Sequence, residues 1–363
     1  MDIRDYLKKK EKGLEKGARQ IKDFRVFDFN YIPDRPLMRE EIRPVADALL
    51  RYLKTGIPNH LLLIGTRGSG KTLHVKSLIE NLEDHSSNPS FHYVNCRHHN
   101  TSFKILAEIL NVKPRGYALD ELWREFESVH AGPVVIVLDE VDLISDKDRN
   151  KDILYFLSRS ERNHMAILLS NNPKFQNQLD TSIKSTLQPE IIHFRNYDRD
   201  QVFRILDKRA QLGLHYIGAG VLDHIAGRVV KLTNSDIRVG IKTLYLCAVE
   251  PEEGVEGNFE RARKNIAADI IKDLNDKNLL ILQAAQTSKE QLAKEVYSRY
   301  RRLSQGVGET PFSYVYFYNN LSYLQSLGLI LLVSTKVSRS YANRIQTLFD
   351  PEILESTWKT RFG

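Results

Sequence analysis

The chain has 363 residues, 42% of them hydrophobic and 27% charged, which fits two or three folded domains and argues against a wholly disordered protein. Its apolar runs are too short to cross a membrane, its N-terminus lacks the apolar core of a signal peptide, and its two cysteines exclude a disulfide framework, so we expect a cytoplasmic protein without a membrane partner. The excess of 53 Lys and Arg over 46 Asp and Glu permits a polyanionic partner without requiring one.

The first predicted element is a charged N-terminal arm, residues 1–22, which is either a solvated helix or an arm that reaches a phosphate backbone. From about residue 60 to 195, short apolar runs alternate with stretches of helical periodicity. Runs buried on both faces and separated by helices indicate a parallel α/β sheet. The predicted strands are Leu61–Ile64, Phe91–Val94, Val134–Leu138, Ala166–Leu169 and Glu190–Phe194. Predicted helices between them are Thr72–Leu82, Leu119–Val129 and Lys151–Arg159.

The strand pattern stops after residue 198, where helical periodicity alone continues and predicts an all-helical segment. The stretch EPEEGVEGNFE separates the last two helices of this segment. The predicted helices are Asp198–Leu212, Gly218–Lys231, Ser235–Val249 and Asn258–Leu274.

From about residue 276 the pattern becomes three helices followed by two apolar strands that a polar, basic tip connects. Three helices followed by a β-hairpin is the plan of a winged helix. The predicted helices are Asn278–Gln286, Lys289–Arg302 and a third from about Thr310 to Leu327. The buried stripe of the third helix is predicted to be Phe312, Phe317, Leu321 and Leu324.

A phosphate-binding loop is predicted where GTRGSGKT, residues 65–72, matches the pattern G-x-x-x-x-G-K-S/T between a strand and a helix. Small residues let backbone N–H groups approach the phosphates, and the helix directs its N-terminus at the anion. We expect Lys71 to reach the β- and γ-phosphates and the Thr72 hydroxyl to hold Mg²⁺. The expected loop ligands are Gly65, Thr66, Arg67, Gly68, Ser69, Gly70, Lys71 and Thr72.

Two carboxylates follow the buried strand in VVIVLDEVD. Asp139 is placed to hold Mg²⁺ directly or through water, and Glu140 to polarise the attacking water, which favours an NTPase over a small-molecule kinase. Asn171, at the end of the next strand, either orients that water or contacts the γ-phosphate, or is an ordinary strand-end residue. Arg238, near the start of a later helix, either senses the γ-phosphate or is simply solvated.

In this order and spacing, the motifs resemble an AAA+ ATPase, with Asn171 and Arg238 as first and second sensors and the helical segment as a lid. Other stretches are similar to the archaeal origin-recognition and cell-division-control replication initiator family. The stretch YIPDRPLMREEI resembles its lead-in, VNCRHHNTSFKILAEIL with GYALDELWREF resembles its extra helical insertion, and FRNYDRDQVFRILDKRAQLGL resembles the start of its lid. The resemblance covers roughly residues 24–360.

The resemblance implies an α/β fold, namely an AAA+ parallel five-stranded sheet with a helical lid domain, followed by a winged-helix domain. The expected boundaries are 1–22 for the arm, 23–196 for the nucleotide-binding α/β domain, 197–275 for the lid and 276–363 for the winged helix. It also implies ATP or ADP with Mg²⁺ as cofactors and assigns Tyr197 and Arg209 to nucleotide binding. Val26, Phe27 and Tyr31 then either pack near the adenine or merely cover the core.

The implied function is ATP-dependent replication initiation, in which the protein binds double-stranded origin DNA and helps recruit or load the replicative helicase. ATP binding with slow hydrolysis would be a switch, other initiator subunits or paralogues would be partners, and the protein would be associated with the nucleoid. Two alternatives remain open. One is an ADP-locked origin-binding regulator or repressor without turnover. The other is a clamp-loader-like or transposition AAA+ regulator whose winged helix binds protein.

Two positions depart from the family pattern. Arg67 stands where the family keeps a small polar residue, which adds a cation beside the nucleotide. In LDTSIKSTL, Ser182 replaces an expected Arg and only Lys184 remains, so activation of hydrolysis by a neighbouring subunit is in doubt.

Two elements are expected to contact DNA. In the winged helix, the third helix enters the major groove and the hairpin tip reaches the backbone or the minor groove. The loop NVKPRG of the inserted helices is the second element. The expected contact residues are Ser313, Tyr314, Tyr316 and Asn320 on the helix, Lys336, Arg339 and Arg344 on the hairpin, and Lys113 and Arg115 on the loop.

Overall fold

A computed structural model of the chain describes residues 2–4, 7, 11, 15, 17–83, 90–113, 115–145, 148, 151–287, 291–337 and 340–362. The chain divides into two compact units, which we describe separately. The α/β unit comprises residues 34–66 and 70–195. The C-terminal unit comprises residues 1–33, 67–69 and 196–363.

A five-stranded parallel sheet forms the centre of the α/β unit, in the order β2–β3–β4–β1–β5. The strands are β1 (Leu61–Gly65), β2 (Ser90–Asn95), β3 (Val134–Asp139), β4 (Met165–Ser170) and β5 (Glu190–Phe194). All five predicted strands are confirmed, each to within one residue at either end. Strands β3 and β4 are buried along their whole length, and this burial on both faces explains their continuous apolar sequences.

Helices cover both faces of this sheet. They are α1 (Ile42–Thr55), α2 (Lys71–Glu83), α3 (Ser102–Ile109), α4 (Leu119–Val129), α5 (Asp152–Arg159) and α6 (Thr181–Leu187). Side chains that alternate along β1 enter different apolar clusters. Leu62 packs in the cluster that contains Phe126 of α4, and Leu63 packs in the one that contains Tyr52 of α1. Both α3 and α4 lie between β2 and β3, where the resemblance implies an extra helical insertion.

The carboxyl ends of the central strands lie side by side because these strands are parallel and in register. In the register, Ile64 of β1 lies opposite Ser170 of β4, and Leu138 of β3 lies opposite Leu168 of β4. The residues that follow each strand therefore share one edge of the sheet, which is where open α/β sheets bind ligands.

Helices dominate the first part of the C-terminal unit, after a short 3-10 helix at Phe24–Phe27. They are α7 (Arg199–Gly213), α8 (Ala219–Leu232), α9 (Ile237–Val249) and α10 (Gly254–Asp273). The predicted break before α10 is too long, because the helix begins at Gly254 and only a 3-10 turn, Pro251–Glu253, precedes it. The acidic residues of this stretch are exposed at the start of α10. Arg261 of α10 forms an ion pair with Glu250, which precedes the turn.

The predicted winged-helix elements follow. They are α11 (Asp276–Thr287), α12 (Ala293–Gly306), α13 (Tyr314–Ser326), and the antiparallel strands β6 (Ile330–Val337) and β7 (Ser340–Thr347). The second helix begins later than predicted, and the predicted start at Lys289 lies outside the described residues. The third helix begins at Tyr314 rather than near Thr310 because Ser313 caps it. A last helix, α14 (Pro351–Phe362), was not predicted.

Within the part of the chain that the structure describes, no helix is both long enough and apolar enough to cross a lipid bilayer.

Candidate nucleotide-binding and nucleic-acid-binding sites

The phosphate loop connects β1 to α2 and contains two glycines with positive φ. Gly68 has φ +79° and Gly70 has φ +89°, a region in which a residue with a Cβ is strained. Ser69 between them is buried. The loop sequence thus supplies glycine where the backbone requires it, and consecutive N–H groups in such turns form an anion-binding concavity.

Lys71 is buried at the start of α2, where its ammonium group donates hydrogen bonds to three oxygens. Its Nζ donates to the backbone oxygens of Gly65 and Thr66 at 2.9 and 3.1 Å and to Oδ1 of Asn171 at 2.9 Å. Lys71 is 6% exposed and Asn171 is 9% exposed. The structure therefore brings the phosphate-loop lysine and the predicted first sensor together.

Asp139 and Thr72, the predicted Mg²⁺ ligands, are also adjacent. Oδ2 of Asp139 accepts hydrogen bonds from Oγ1 of Thr72 at 2.7 Å and from the hydroxyl of Tyr93 at 2.5 Å. Burial and the Asp139 carboxylate raise the pKa of Tyr93 far above its ordinary value, so its hydroxyl stays a donor. A hydroxyl and a carboxylate fit Mg²⁺, which takes few protein oxygens and completes its shell with phosphate and water. Tyr93 was not predicted to contribute.

Glu140, the predicted water-polarising residue, has both carboxylate oxygens in an ion pair. Nε of Arg97 donates to Oε2 at 2.7 Å and Nη2 donates to Oε1 at 3.0 Å. The backbone of Glu140 is left-handed, with φ 53°, and its N–H donates to Oδ1 of Asp139 at 2.8 Å. Bidentate pairs between Arg and a carboxylate are among the stronger hydrogen-bonded contacts in proteins. In this arrangement Arg97 contacts both oxygens of the Glu140 carboxylate.

Asp142 holds the backbone of Asn171, the predicted first sensor, at the end of β4. Its Oδ1 accepts from the hydroxyl of Ser170 at 2.8 Å and from the backbone N–H of Asn171 at 3.0 Å. Burial raises the pKa of the Asp142 carboxyl above its ordinary value. The backbone of Asn171 is therefore fixed while its side chain faces Lys71.

In the C-terminal unit, the predicted second sensor pairs with an acid. The backbone N–H and Nε of Arg238 donate to Oδ1 of Asp236 at 3.1 and 2.9 Å, and its Nη2 contacts Oδ2. The same carboxylate lies against Gly68, because a Cβ added to this glycine would be 2.3 Å from Asp236 Oδ1. Arg238, Asp236 and one residue of the phosphate loop therefore form a single cluster in this unit.

Arg67, the unusual cation of the phosphate loop, also belongs to the C-terminal unit. Its Nη2 lies 4.0 Å from Oδ2 of Asp273, the last residue of α10, and its side chain is 19% exposed. A pair at this distance contributes little energy. It places the Arg67 side chain beside the end of α10.

Arg209 connects the N-terminal lead-in to α7. It is 5% exposed, and its guanidinium donates to the backbone oxygens of Val26, Asp28 and Tyr31. Burial lowers the pKa of Arg209. Val26 and Phe27 are buried too, as is Tyr197 at the start of the predicted lid. The structure thus brings Arg209, Val26 and Tyr31 together through backbone contacts that the sequence did not reveal.

Ser182, which stands at the position of the expected Arg, lies on the exposed side of α6. Its backbone N–H and its hydroxyl both donate at 2.9 Å to Oδ1 of Asp180, which caps this helix. Lys184 is exposed in the same helix. The short hydroxyl is committed to the cap, so it provides no cation for a neighbouring subunit.

The exposed face of α13 agrees with its prediction at Ser313, Tyr314 and Tyr316, whereas Asn320 is only partly exposed. Tyr314 and Tyr316 are each 43% exposed, and Asn320 donates to the backbone oxygen of Tyr316 at 2.8 Å. Ser313 accepts from the backbone N–H of Tyr316 and caps the helix. The residues found buried as predicted are Phe317, Leu321 and Leu324. Phe312 is only partly buried, because it precedes the helix and packs on Tyr300 from the loop.

The predicted basic contacts are on the surface wherever the structure describes them. Lys336 and Arg344 are exposed on the hairpin, and Lys113 and Arg115 are exposed between α3 and α4. Arg339 lies outside the described residues. The hairpin and the loop therefore both present cations to solvent.

Four site residues were missed by the sequence reasoning, namely Tyr93, Arg97, Asp142 and Asp236. Each lies within three residues of a strand end or of a predicted sensor. Polar residues at such positions are a usable signal, although only the folded chain shows which partner each one selects.

Comparison with known proteins gives consistent matches. Residues 57–179 match the AAA domain family. ORC1-type DNA replication protein 1 of Archaeoglobus fulgidus is 27% identical, and the match covers 86% of this chain and 84% of that protein. The ORC1-type DNA replication protein of Pyrococcus abyssi is 28% identical, covering 90% and 86%.

Solved structures show the same fold. The Aeropyrum pernix ORC1 protein in complex with DNA has a TM-score of 0.66 at 22% identity, covering 94% of this chain and 97% of that chain. The Aeropyrum pernix ORC2 protein in ADPNP–ADP complexes has a TM-score of 0.60 at 20% identity, covering 94% and 99%.

Proposed function

We propose that the chain, which is similar over most of its length to archaeal ORC1-type replication proteins and contains an AAA domain, is an ATP-dependent replication initiator of that family. It would bind double-stranded origin DNA and help recruit or load the replicative helicase. The observation that carries this proposal is the meeting of Lys71 with Asn171 and of Thr72 with Asp139 at one edge of the sheet. Other initiator subunits or paralogues, and association with the nucleoid, are part of the same proposal.

The proposed nucleotide chemistry follows from these side chains. Lys71 and the backbone of the phosphate loop hold the β- and γ-phosphates. Thr72 and Asp139 hold Mg²⁺, with Tyr93 fixing the orientation of the Asp139 carboxylate. Bound Mg²⁺ supplies positive charge against the phosphate oxygens. A relative solved with ADPNP and ADP supports nucleotide binding at this fold.

We propose that hydrolysis is slow and that ATP acts as a switch. The Arg97 ion pair supports this, because a carboxylate with both oxygens engaged is poorly placed to polarise water. Ser182 supports it as well, since it supplies no cation to a neighbouring site. Asn171 and Arg238 would sense the γ-phosphate, with Arg238 exchanging Asp236 for the phosphate.

DNA binding is proposed for three surfaces. They are the exposed side of α13, the β6–β7 hairpin, and the loop between α3 and α4. A relative of the same fold has been solved with DNA. Exposed Lys and Arg on the hairpin and the loop are suited to phosphate contacts, which carry most of the affinity for DNA and make it dependent on salt.

Two measurements on the full-length protein test the proposal. ATP binding is measured for the wild type and for Lys71→Ala, which we expect to lose it. Duplex affinity is measured against salt concentration for the wild type and for Arg344→Ala, which we expect to weaken binding to all duplexes and to flatten the slope by about one. Lys231→Ala, an exposed cation on α8, is the matched control.

Other outcomes would favour the alternatives. An ADP-bound protein that binds duplex DNA but shows no multiple turnover would be an origin-binding regulator or repressor, a function that the Arg97–Glu140 pair also favours. If Arg344→Ala and Tyr316→Ala both leave duplex affinity unchanged, a clamp-loader-like or transposition regulator whose winged helix binds protein becomes the better candidate.

A further inference from the structure

The exposed side of α13 is apolar and uncharged. Tyr314, Val315 and Tyr316 form its first turn and are 43%, 69% and 43% exposed. None of the residues from Tyr314 to Ser326 carries a charge, in a chain of which 27% is charged. The buried side of the same helix consists of Phe317, Leu321 and Leu324, so the core does not require the three residues of the first turn.

An exposed cation lies on the helix beside this turn. The rings of Tyr314 and Tyr297 are 5.0 Å apart, which places α12 beside the first turn of α13. Arg301 follows Tyr297 by one helical turn and is exposed. On the other side, Asn343 of β7 donates a hydrogen bond to the Tyr318 hydroxyl. Side chains alternate along a strand, so the exposed Arg344 projects from the opposite face of the hairpin. An uncharged helix turn beside an exposed cation, in a domain whose hairpin presents further cations, complements a polyanion whose interior edges are apolar or neutral.

The chemistry of base edges then limits what α13 can read. In the major groove, guanine is bound by Arg or Lys and cytosine by Asp or Glu, whereas adenine is bound by Asn or Gln and the thymine methyl by apolar groups. Helix α13 has no side chain of the first two kinds, but it carries Asn319, Asn320 and the highly exposed Val315.

We propose that α13 reads A·T base pairs in the major groove and that Val315 contacts the 5-methyl group of thymine. This inference rests on the proposed binding of duplex DNA and names the base pair that the helix selects. Guanine and cytosine are then read, if at all, through the shape and stiffness of the duplex. Removing one contacted methyl group should weaken binding about fourfold, the value of one buried methyl or methylene group.

The test uses full-length protein and three duplexes of equal length, namely alternating dA·dT, the same duplex with uracil in place of thymine, and alternating dG·dC. Uracil lacks only the methyl group, so the ratio of the first two affinities isolates that contact. The wild type is expected to bind the thymine duplex at least about fourfold more tightly than the uracil duplex. It should bind dG·dC more weakly than the thymine duplex. Val315→Ala should bring the thymine-to-uracil ratio close to one.

Two controls separate specificity from general binding. Ile57→Ala removes an apolar side chain that is equally exposed, at 70%, and should leave the ratio unchanged. Arg344→Ala should weaken all three duplexes together and also leave the ratio unchanged.

The proposal is overturned if Val315→Ala keeps the wild-type ratio, or if the wild type binds dG·dC as tightly as dA·dT. In either case duplex binding itself still stands. Failure of the wild type to bind any of the three duplexes would instead overturn both this inference and the proposed function.

Discussion

Arg97 holds both carboxylate oxygens of Glu140, at 2.7 and 3.0 Å, directly after the central strand that carries the proposed Mg²⁺ ligand. A pair of this kind stabilises the ionised carboxylate and restricts its rotation. If Glu140 polarises the attacking water, as proposed, Arg97 competes with that water for the same carboxylate oxygens.

The first prediction concerns this pair. Arg97→Ala should raise the ATPase rate at saturating ATP by about tenfold or more, since a charged hydrogen-bonded contact contributes about 1.5–3 kcal/mol. Glu140→Gln should abolish turnover, and the double variant should be as inactive as Glu140→Gln alone. If Arg97→Ala were as slow as Glu140→Gln, Arg97 would be needed for catalysis rather than for restraint.

The second prediction concerns Asp236, whose negative charge lies beside both Arg238 and Gly68. Asp236→Asn keeps a side-chain oxygen for the helix cap but removes the charge that opposes a phosphate. ATP affinity, measured by calorimetry, should rise several-fold. Asp223→Asn, an exposed carboxylate paired with Arg199 in the same unit, is the control and should change nothing. Weaker ATP binding by Asp236→Asn would contradict the prediction.

The third prediction concerns Tyr93, which donates to the carboxylate of Asp139. Mutation of a residue that hydrogen-bonds to a metal ligand typically lowers metal affinity by about 10–100-fold. Tyr93→Phe should raise the Mg²⁺ concentration needed for half-maximal ATPase by about tenfold. Tyr52→Phe removes another buried tyrosine hydroxyl, which bonds the backbone oxygen of Val134 instead. It should lower stability without changing the Mg²⁺ requirement, and an equal Mg²⁺ effect in both variants would argue against the role of Tyr93.

The fourth prediction concerns two histidines of the α/β unit. Burial lowers the pKa of His60 to about 4, and burial with the neighbouring His130 and His164 lowers that of His92 to about 4. An unfolded histidine takes up its proton near pH 6.5, so between about pH 6.5 and 4 the unfolded chain binds more protons. The free energy of unfolding should fall as the pH drops through this window, by at most about 1.4 kcal/mol per pH unit for each histidine.

Urea unfolding at several pH values between about 7 and 5 checks this prediction. His92→Gln should flatten the decline in unfolding free energy, whereas the same change at the exposed His215 should leave the slope as it is. Equal slopes in the wild type and His92→Gln would show that His92 titrates normally in the folded state.

The strands were predictable because their burial on both faces leaves a continuous apolar run, as in β3 and β4. The phosphate loop was predictable because glycine, Lys71 and Thr72 are all local requirements of one motif. The partners of Glu140 and Arg238 were not predictable, since Arg97 and Asp236 act through contacts that form only when the chain folds.

Other differences have local causes. The start of α10 was misplaced because a run of acidic residues and glycines resembles a loop, although here it forms the exposed first turns of a helix. The partly buried α14 was missed because it follows the hairpin, which is the last element of the winged-helix plan. Composition alone does not distinguish such a polar helix from a connecting segment.

The contact between Arg67 and Asp273 joins the phosphate loop to the end of α10, three residues before α11 begins. A bound phosphate and Asp273 would compete for the guanidinium of Arg67, so the binding of nucleotide and the contact with Asp273 would be coupled in free energy. Thermodynamic reciprocity then applies in both directions. A ligand that displaced Asp273 from Arg67 would change the affinity for nucleotide by the same factor with which the nucleotide changes the affinity for that ligand.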